Sequence, residues 1–239
     1  PHISIVCNFS KPTATLPSLL TFQEVTTLFH EFGHALHGIL ADTAYSGLSG
    51  TSVYWDFVEL PSQIMENWCY EPEALALFAK HYQTEEVIPK DLIEKIKKAA
   101  HFQQGLQTLR QLGFSFLDLS YHGKHALEIK DIKEHEAKIL KRIQFTSDTP
   151  ENASSTAFSH IFQGGYSAGY YSYKWAEVLD ADAFELFQEK GVFDKETSRS
   201  FLENILSKGG TEHPMKLYKR FRGKEPDPNA LLRRAGLVN

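Results

Sequence analysis

Two histidines and a glutamate within five residues of one segment could bind a metal ion and activate water. The segment His30-Glu31-Phe32-Gly33-His34 contains the pattern His-Glu-x-x-His. On an α-helix, residues four positions apart lie on one face about one turn apart, so His30 and His34 could coordinate one zinc ion. Glu31 could then accept a proton from a water molecule at the metal. This donor set is typical of zinc hydrolases. The alternative interpretation is that two histidines with no common function have this spacing by chance.

A zinc hydrolase needs a third protein ligand and an open position for water. Glu59 lies twenty-five positions after His34, at the start of the next predicted helix, and one loop could return it to the metal. Asp56 is the alternative ligand, and Glu66 is a more distant one. Glu66 follows Glu59 by two helical turns, where it could accept a hydrogen bond from a ligating imidazole, unless it is an ordinary surface carboxylate. His37 is expected to line a cleft or to form a local hydrogen bond rather than to join the ligands.

Helices must position these residues, and the sequence predicts where the first two begin. Thr21-Phe22-Gln23-Glu24 is a capping-box pattern, so a helix should start near Phe22. Its apolar residues recur at helical spacing. Gly33 lies inside this helix, at a cost of roughly 1 kcal/mol relative to Ala, which a close-packed neighbour or the metal site would explain. A second helix is predicted over residues 56–70, with Pro61 in its first turn or at a kink.

The remaining segments predict a mainly α chain with a minor β element near its start. Residues 2–8 have the pattern of a short strand, residues 45–51 that of a loop or edge strand, and residues 146–159 are polar and irregular. Further helices are predicted over residues 73–82, 89–121, 131–143, 195–207 and 229–234. Another follows the Gly- and Tyr-rich stretch 164–173 and continues to about residue 188. We expect residues 1–239 to form one multi-helical catalytic region.

Composition narrows the class of protein. The hydrophobic fraction of 42% suffices for a folded core, and the net charge of −5 argues against a nucleic-acid partner. No apolar run is long enough for a membrane span, so we expect no membrane partner. Two cysteines are too few for a disulfide framework and suggest reduced thiols in a cytoplasmic protein. The chain opens abruptly on an apolar segment after Pro1, which suggests a fragment of a longer protein.

Three stretches of the sequence resemble the thimet oligopeptidase family of zinc metallopeptidases. The first comprises residues 29–38, 49–51 and 56–68, and contains the His-Glu-x-x-His…Glu spacing of that family. The second is the Gly- and Tyr-rich run 158–175, and the third is the tail 221–232. The resemblance covers essentially the whole chain, and these stretches are its most specific parts.

The resemblance implies a role for each candidate residue. One zinc ion per chain would be bound by His30, His34 and Glu59, with Glu31 as the general base and Glu66 in contact with a ligand. The Gly- and Tyr-rich run would face the zinc across a cleft, where Tyr173 and His160 stabilise the oxyanion. The residues expected to bind the peptide backbone are Gly164, Gly165, Tyr166 and Tyr170.

The resemblance also implies hydrolysis of short peptides. The sequences of residues 48–51 and 56–59 resemble the peptidyl-dipeptidase branch, and we therefore predict release of C-terminal dipeptides. Residues 68–75 resemble the oligopeptidase A branch, so an endopeptidase of that type is the alternative. Family members are longer, and their N-terminal half supplies the other wall of the channel, so this half is an expected partner. Two alternatives to a peptidase are considered. One is a fragment that binds zinc or peptide without catalysis, and the other is a structural helical domain.

Overall fold

The computed structural model describes residues 2–143 and 153–238 of the chain, and helices dominate this part. The described α-helices are α1 Phe22–Ile39, α2 Leu60–Glu66, α3 Pro72–Phe78, α4 Lys90–His101, α5 Gln104–Tyr121, α6 Ile132–Leu140, α7 Ser159–Phe162, α8 Tyr171–Lys190, α9 Lys195–Phe201, α10 Pro214–Arg222 and α11 Pro228–Arg234. The prediction of a mainly α fold is therefore confirmed. Half of the segment 146–159, predicted to be irregular, lies outside the described residues, and its described half contains a 3₁₀ turn at Ser154–Ala157. No helix among the described residues has both the length and the apolarity needed to cross a bilayer.

The first compact unit comprises residues 1–101 and 176–239 and contains both the predicted metal-site helices and the C-terminal helices. Its first helix begins as predicted: the Thr21 side chain accepts from the Glu24 N–H, and the Glu24 carboxylate accepts from the Thr21 N–H. Helix α1 packs against α2. The core of this unit is apolar, and its most deeply buried side chains include those of Leu60, Ile64, Leu179, Ile205, Leu217 and Tyr218.

The second compact unit comprises residues 102–175 and contains α5, α6, α7 and the first residues of α8. Helix α5 packs against α6, and Leu117 and Ile161 are fully buried. The buried carboxylate of Glu136 accepts the N–H groups of Ser154 and Ser155 at 3.1 and 2.6 Å. These bonds tie the chain after the undescribed residues 144–152 to α6.

Two predicted helices are interrupted in the structure. Residues 56–70 form a 3₁₀ turn at Trp55–Phe57, then α2 with Pro61 in its first turn, then a 3₁₀ turn at Asn67–Tyr70. The helix predicted over residues 89–121 is two helices, because Gln103 has a left-handed φ of 56° that ends the first before α5 starts. An αL residue of this kind leaves no mark in the apolar periodicity.

The minor β element near the N-terminus is not seen. Residues 2–10 carry neither helix nor strand, and among the described residues the bridge between Lys80 and Val87 is isolated. A segment with a strand-like sequence cannot form inter-strand hydrogen bonds when no other strand lies beside it. Helix α10 was not predicted, although its start at His213-Pro214 and its end at Gly223, with φ 81°, carry the usual signals.

Candidate metal centre

The structure brings His30, His34 and Glu59 together in the first unit. The His30 and His34 Nε2 atoms lie 3.3 and 3.2 Å from Glu59 Oε2. One ligand atom from each residue lies within 4.8 Å of the other two, and no other such donor group is found among the described residues. Asp56, the alternative third ligand, is not a member of the group.

The spacing of these atoms fits a zinc ion. Zinc ligands at about 2.0–2.1 Å in a tetrahedral arrangement lie roughly 3.4 Å apart, close to both observed separations from Glu59. The Glu59 side chain is only 4% exposed, and a buried carboxylate requires a cation. The neighbouring carboxylates likewise favour the charged form of His30. Burial, the largest influence, lowers the His30 pKa, but its bonds to Glu59 and Glu66 together raise it to about 10.

Glu59 reaches the two histidines because α2 approaches α1 closely at Gly33. A Cβ at Gly33 would lie 2.2 Å from the Pro61 carbonyl oxygen and 2.6 Å from Ser62 Cα. Glu59 directly precedes α2, and the buried Ser62 hydroxyl donates to Glu59 Oε2 at 2.8 Å. The close-packed neighbour that the sequence suggested for Gly33 is therefore the first turn of α2.

The other predicted residues of this centre lie around the donor group. Glu66 Oε1 is 2.7 Å from His30 Nδ1, the contact expected of an acceptor for a ligating imidazole. Glu31 is partly exposed and outside the donor group, and its role as general base stays a prediction. His34 Nδ1 is buried without a hydrogen-bond partner among the described residues.

His37 is fully buried and outside the donor group. Of the two alternatives expected for it, the local hydrogen bond is absent, since neither ring nitrogen has a partner among the described residues, and a side chain without exposed surface does not line an open cleft. Burial, and to a lesser extent the charge of His34, lower the His37 pKa to about 4. His37 is therefore a neutral imidazole near neutral pH.

The residues predicted to bind substrate form an aromatic group within the second unit. His160 lies 6.3 Å from the Tyr166 ring and 5.9 Å from the Tyr170 ring, measured between centroids. Tyr173 stacks on Tyr166 at 4.7 Å and meets Tyr170 edge-on at 5.4 Å. Burial raises the pKa of Tyr170, whose hydroxyl donates to Gln111 at 3.2 Å. All four predicted residues of this run are thus neighbours.

Gly164 and Gly165 form the turn that returns the chain to His160. The Gly165 φ of 83° suits glycine, and the Tyr166 N–H donates to the His160 carbonyl oxygen at 3.0 Å. A Cβ at Gly164 would lie 2.9 Å from His160 Cα. The glycines therefore shape the loop, and their direct contact with substrate stays a prediction.

Asp118 binds the backbone of the same loop, and the sequence analysis did not predict a role for it. It is fully buried in α5, and its two oxygens accept the N–H groups of Ala168 and Tyr170, each at 2.8 Å. His122 Nδ1 lies 2.8 Å from the same carboxylate. Ala168 has a left-handed φ of 54°, so these bonds offset a strained backbone. The partners lie 50 and 52 positions away along the chain, and no local pattern marks such an aspartate.

Comparison with known proteins identifies similar chains. The sequence pattern of Peptidase family M3 matches residues 1–237. The chain is 50% identical to oligopeptidase A of Escherichia coli strain K12 and 46% identical to a probable cytosolic oligopeptidase A of Arabidopsis thaliana, and 40% identical to dipeptidyl carboxypeptidase of E. coli K12. Each comparison covers 99–100% of this chain but 35% of the relative. The chain thus spans about a third of the length of these relatives.

Proposed function

Because this chain belongs to Peptidase family M3, we propose that it is the metal-binding and catalytic region of a zinc-dependent peptidase that hydrolyses short peptides. The observation that carries this proposal is the group of His30, His34 and Glu59, whose atoms have the separations of zinc ligands. Glu31, next to the first ligand in the sequence, provides the base that hydrolysis requires.

Each residue of the centre has a distinct part in the reaction. Zinc held by the three ligands would supply a Lewis acid for the peptide carbonyl and for the attacking water. Glu31 accepts a proton from that water as its oxygen bonds to the carbonyl carbon, and then delivers the proton to the amine nitrogen as the C–N bond breaks. Glu66 orients the His30 ring from the other side, and Ser62 orients Glu59.

The aromatic group of the second unit supplies the remaining roles in this proposal. A phenol donates one directed hydrogen bond without adding charge, which suits Tyr173 as the donor to the oxyanion, with His160 as a second donor. Tyr166, Tyr170 and the turn Gly164-Gly165 would bind the peptide backbone. The support for these roles is the family resemblance of residues 158–175 and the clustering of the four rings.

For the mode of cleavage, the relatives support the oligopeptidase A type. Identity is 50% to oligopeptidase A and 40% to dipeptidyl carboxypeptidase of the same organism over equal coverage. Release of C-terminal dipeptides, indicated by residues 48–51 and 56–59, is the second candidate. A peptide blocked at both ends separates the two, because an enzyme that needs a free C-terminus leaves it intact whereas an oligopeptidase A-like enzyme cuts it internally.

Two further features belong to the proposal. The relatives are about three times as long as this chain, so we propose that the rest of the longer protein forms the other wall of the peptide channel and contributes to activity. The name of the Arabidopsis relative and the small number of cysteines support a cytoplasmic location.

The decisive experiment measures zinc content and peptide cleavage on one and the same preparation of the purified protein. We expect about one zinc per chain, and we expect Glu31→Gln to retain the metal while losing about 10²–10⁴-fold in kcat. Tyr173→Phe should lower kcat with little change in KM, because its bond strengthens in the transition state. Glu73→Gln, on the exposed face of α3, is the matched control and should change neither quantity.

Three outcomes would contradict parts of this proposal. Normal turnover by Glu31→Gln would remove Glu31 as the base, and an unchanged kcat in Tyr173→Phe would remove the oxyanion role. Absence of zinc even after metal is resupplied would overturn the ligand assignment itself.

A further inference from the structure

A network of three side chains holds the end of α2 directly after Glu66. The Asn67 amide Nδ2 donates to Asp180 Oδ1 at 2.9 Å, and its Oδ1 accepts from Arg234 Nη1 at 2.9 Å. Arg234 also binds the Asp180 carboxylate through both of its terminal nitrogens. We refer to Asn67, Asp180 and Arg234 as the clamp. It joins the end of α2 to α8 and α11, and all three residues belong to the first compact unit.

The clamp leaves the end of α2 little freedom. Asn67 Nδ2 also donates to the carbonyl oxygens of Gln63 and Ile64 at 3.3 and 3.1 Å, so one buried amide closes the helix and binds Asp180. Asp180 is 1% exposed, and without Arg234 its charge would be buried and unpaired. Loss of the guanidinium would therefore leave Asp180 without its cation and Asn67 Oδ1 without its donor, which should loosen the attachment of the last turn of α2 to α8 and α11.

Glu66 is the last residue of α2, one position before the clamp. Its carboxylate lies 2.7 Å from His30 Nδ1, yet 37% of its side chain is exposed. A side chain so open to solvent is held mainly by the backbone that carries it. Asn67, the next residue, ties that backbone to α8 and α11.

We propose that Arg234 is a positioning residue for the metal site, since through Asp180 and Asn67 it fixes the last turn of α2 and so keeps Glu66 against His30. This inference rests on the proposed zinc site. It predicts that a residue at the far end of the sequence, in contact with none of the ligands, affects the affinity for zinc.

The test is a double-mutant cycle on the 239-residue chain, read as the zinc dissociation constant in competition with a chromophoric chelator. Glu66→Ala removes the acceptor directly and should weaken zinc binding about 10–100-fold. Arg234→Ala should weaken it about 10-fold, at the lower end of that range. In the Glu66→Ala background, Arg234→Ala should have no further effect on zinc, although it still lowers the melting temperature. The absorption bands of bound Co²⁺ should shift with Arg234→Ala in the wild-type background alone.

Two further variants separate positioning from stability. Arg233→Ala is the matched control, because Arg233 lies on α11 beside Arg234. This substitution breaks the ion pairs of Arg233 with Glu185 and Asp227, and it should leave the zinc affinity unchanged. Arg234→Lys keeps the charge beside Asp180 but loses the planar fork that also reaches Asn67. It should fold even if Arg234→Ala does not, and it should weaken zinc binding in the same Glu66-dependent way.

The outcomes distinguish this inference from the proposed function. Unchanged zinc affinity in folded Arg234 variants, or an equal loss in the Glu66→Ala background, would overturn the clamp's role and leave the zinc site standing. A wild-type chain that binds no zinc would overturn both.

Discussion

The carboxylate of Glu24 shows how one residue fixes the start of the metal-site helix. Its oxygens accept the Thr21 N–H at 2.7 Å, the Ser10 N–H at 2.6 Å and the Ser10 hydroxyl at 2.8 Å. The bond from the Thr21 backbone and those from Ser10 stabilise the ionised form and lower the Glu24 pKa from 4.5 to about 2. The carboxylate therefore links the segment before α1 to the capping box.

This shift predicts a pH dependence of stability. Because the pKa is lower in the folded chain, the stabilising effect of the charge is complete above pH 4.5 and declines as the pH falls towards 2. Glu24→Gln should therefore have a lower melting temperature than the wild type at pH 6–7, and the gap should close between pH 4.5 and 2.5. Thermal melts followed by circular dichroism would show this. Glu94→Gln, an exposed position on α4, is the control, and a gap that stays constant with pH would refute the prediction.

Also at the scale of residues, the contacts around the metal centre differ in how well the sequence predicts them. His30 and His34 share a helical face, so their meeting follows from local geometry, and the positions of Glu59 and Glu66 followed from one connecting loop. Arg234 meets Asn67 across 167 positions of sequence, and no spacing rule connects them. Contacts made by long-range packing between elements need the structure.

At the scale of elements, the approach of α1 to α2 is the feature on which the metal centre depends. Intrinsic propensity favours Ala over Gly inside a helix by roughly 1 kcal/mol. At Gly33 the added methyl would overlap the Pro61 carbonyl oxygen, so α2 must move away from α1. We expect Gly33→Ala to destabilise the fold by about 1–3 kcal/mol and to weaken zinc binding, because Glu59 moves with α2.

The check is the zinc dissociation constant together with the unfolding free energy. Gly47→Ala is the matched control, because no atom lies within 4 Å of a Cβ there, and it should leave both quantities nearly unchanged. A Gly33→Ala protein with wild-type zinc affinity would show that α1 and α2 can separate without moving the ligand.

Element boundaries were less predictable than element type. The capping box gave the first residue of α1. Apolar periodicity joined α4 to α5, since the pattern continues through the break at Gln103. The sequence also predicted one helix where the structure has α2 between two 3₁₀ turns. At the second of these places Asn67 contacts Asp180 and Arg234, which are distant in sequence, so local propensity does not indicate the end of α2.

At the scale of the whole molecule, the described residues form two compact units. The first contains the metal-ligand stretch and the tail 221–232 of the family resemblance, and the second contains the Gly- and Tyr-rich run. The metal-ligand group belongs to the first unit and the aromatic group to the second. The mainly α class could be predicted because helical periodicity recurs along the chain. The division into units could not, because α8 runs through the boundary at Trp175 without a linker composition to mark it.

Zinc should stabilise the chain as a whole, because its ligands come together only when α1 and α2 are packed. A ligand that binds the folded state alone at 100 times its dissociation constant adds about 2.7 kcal/mol to the free energy of unfolding. For a chain of this size, that corresponds to a rise of roughly 5–10 °C in melting temperature. Thermal melts in chelator and in buffered zinc measure it. Glu59→Gln removes the buried carboxylate between the two histidines, so the rise should largely vanish in this variant. An equal rise in Glu59→Gln would mean that the stabilising zinc binds elsewhere.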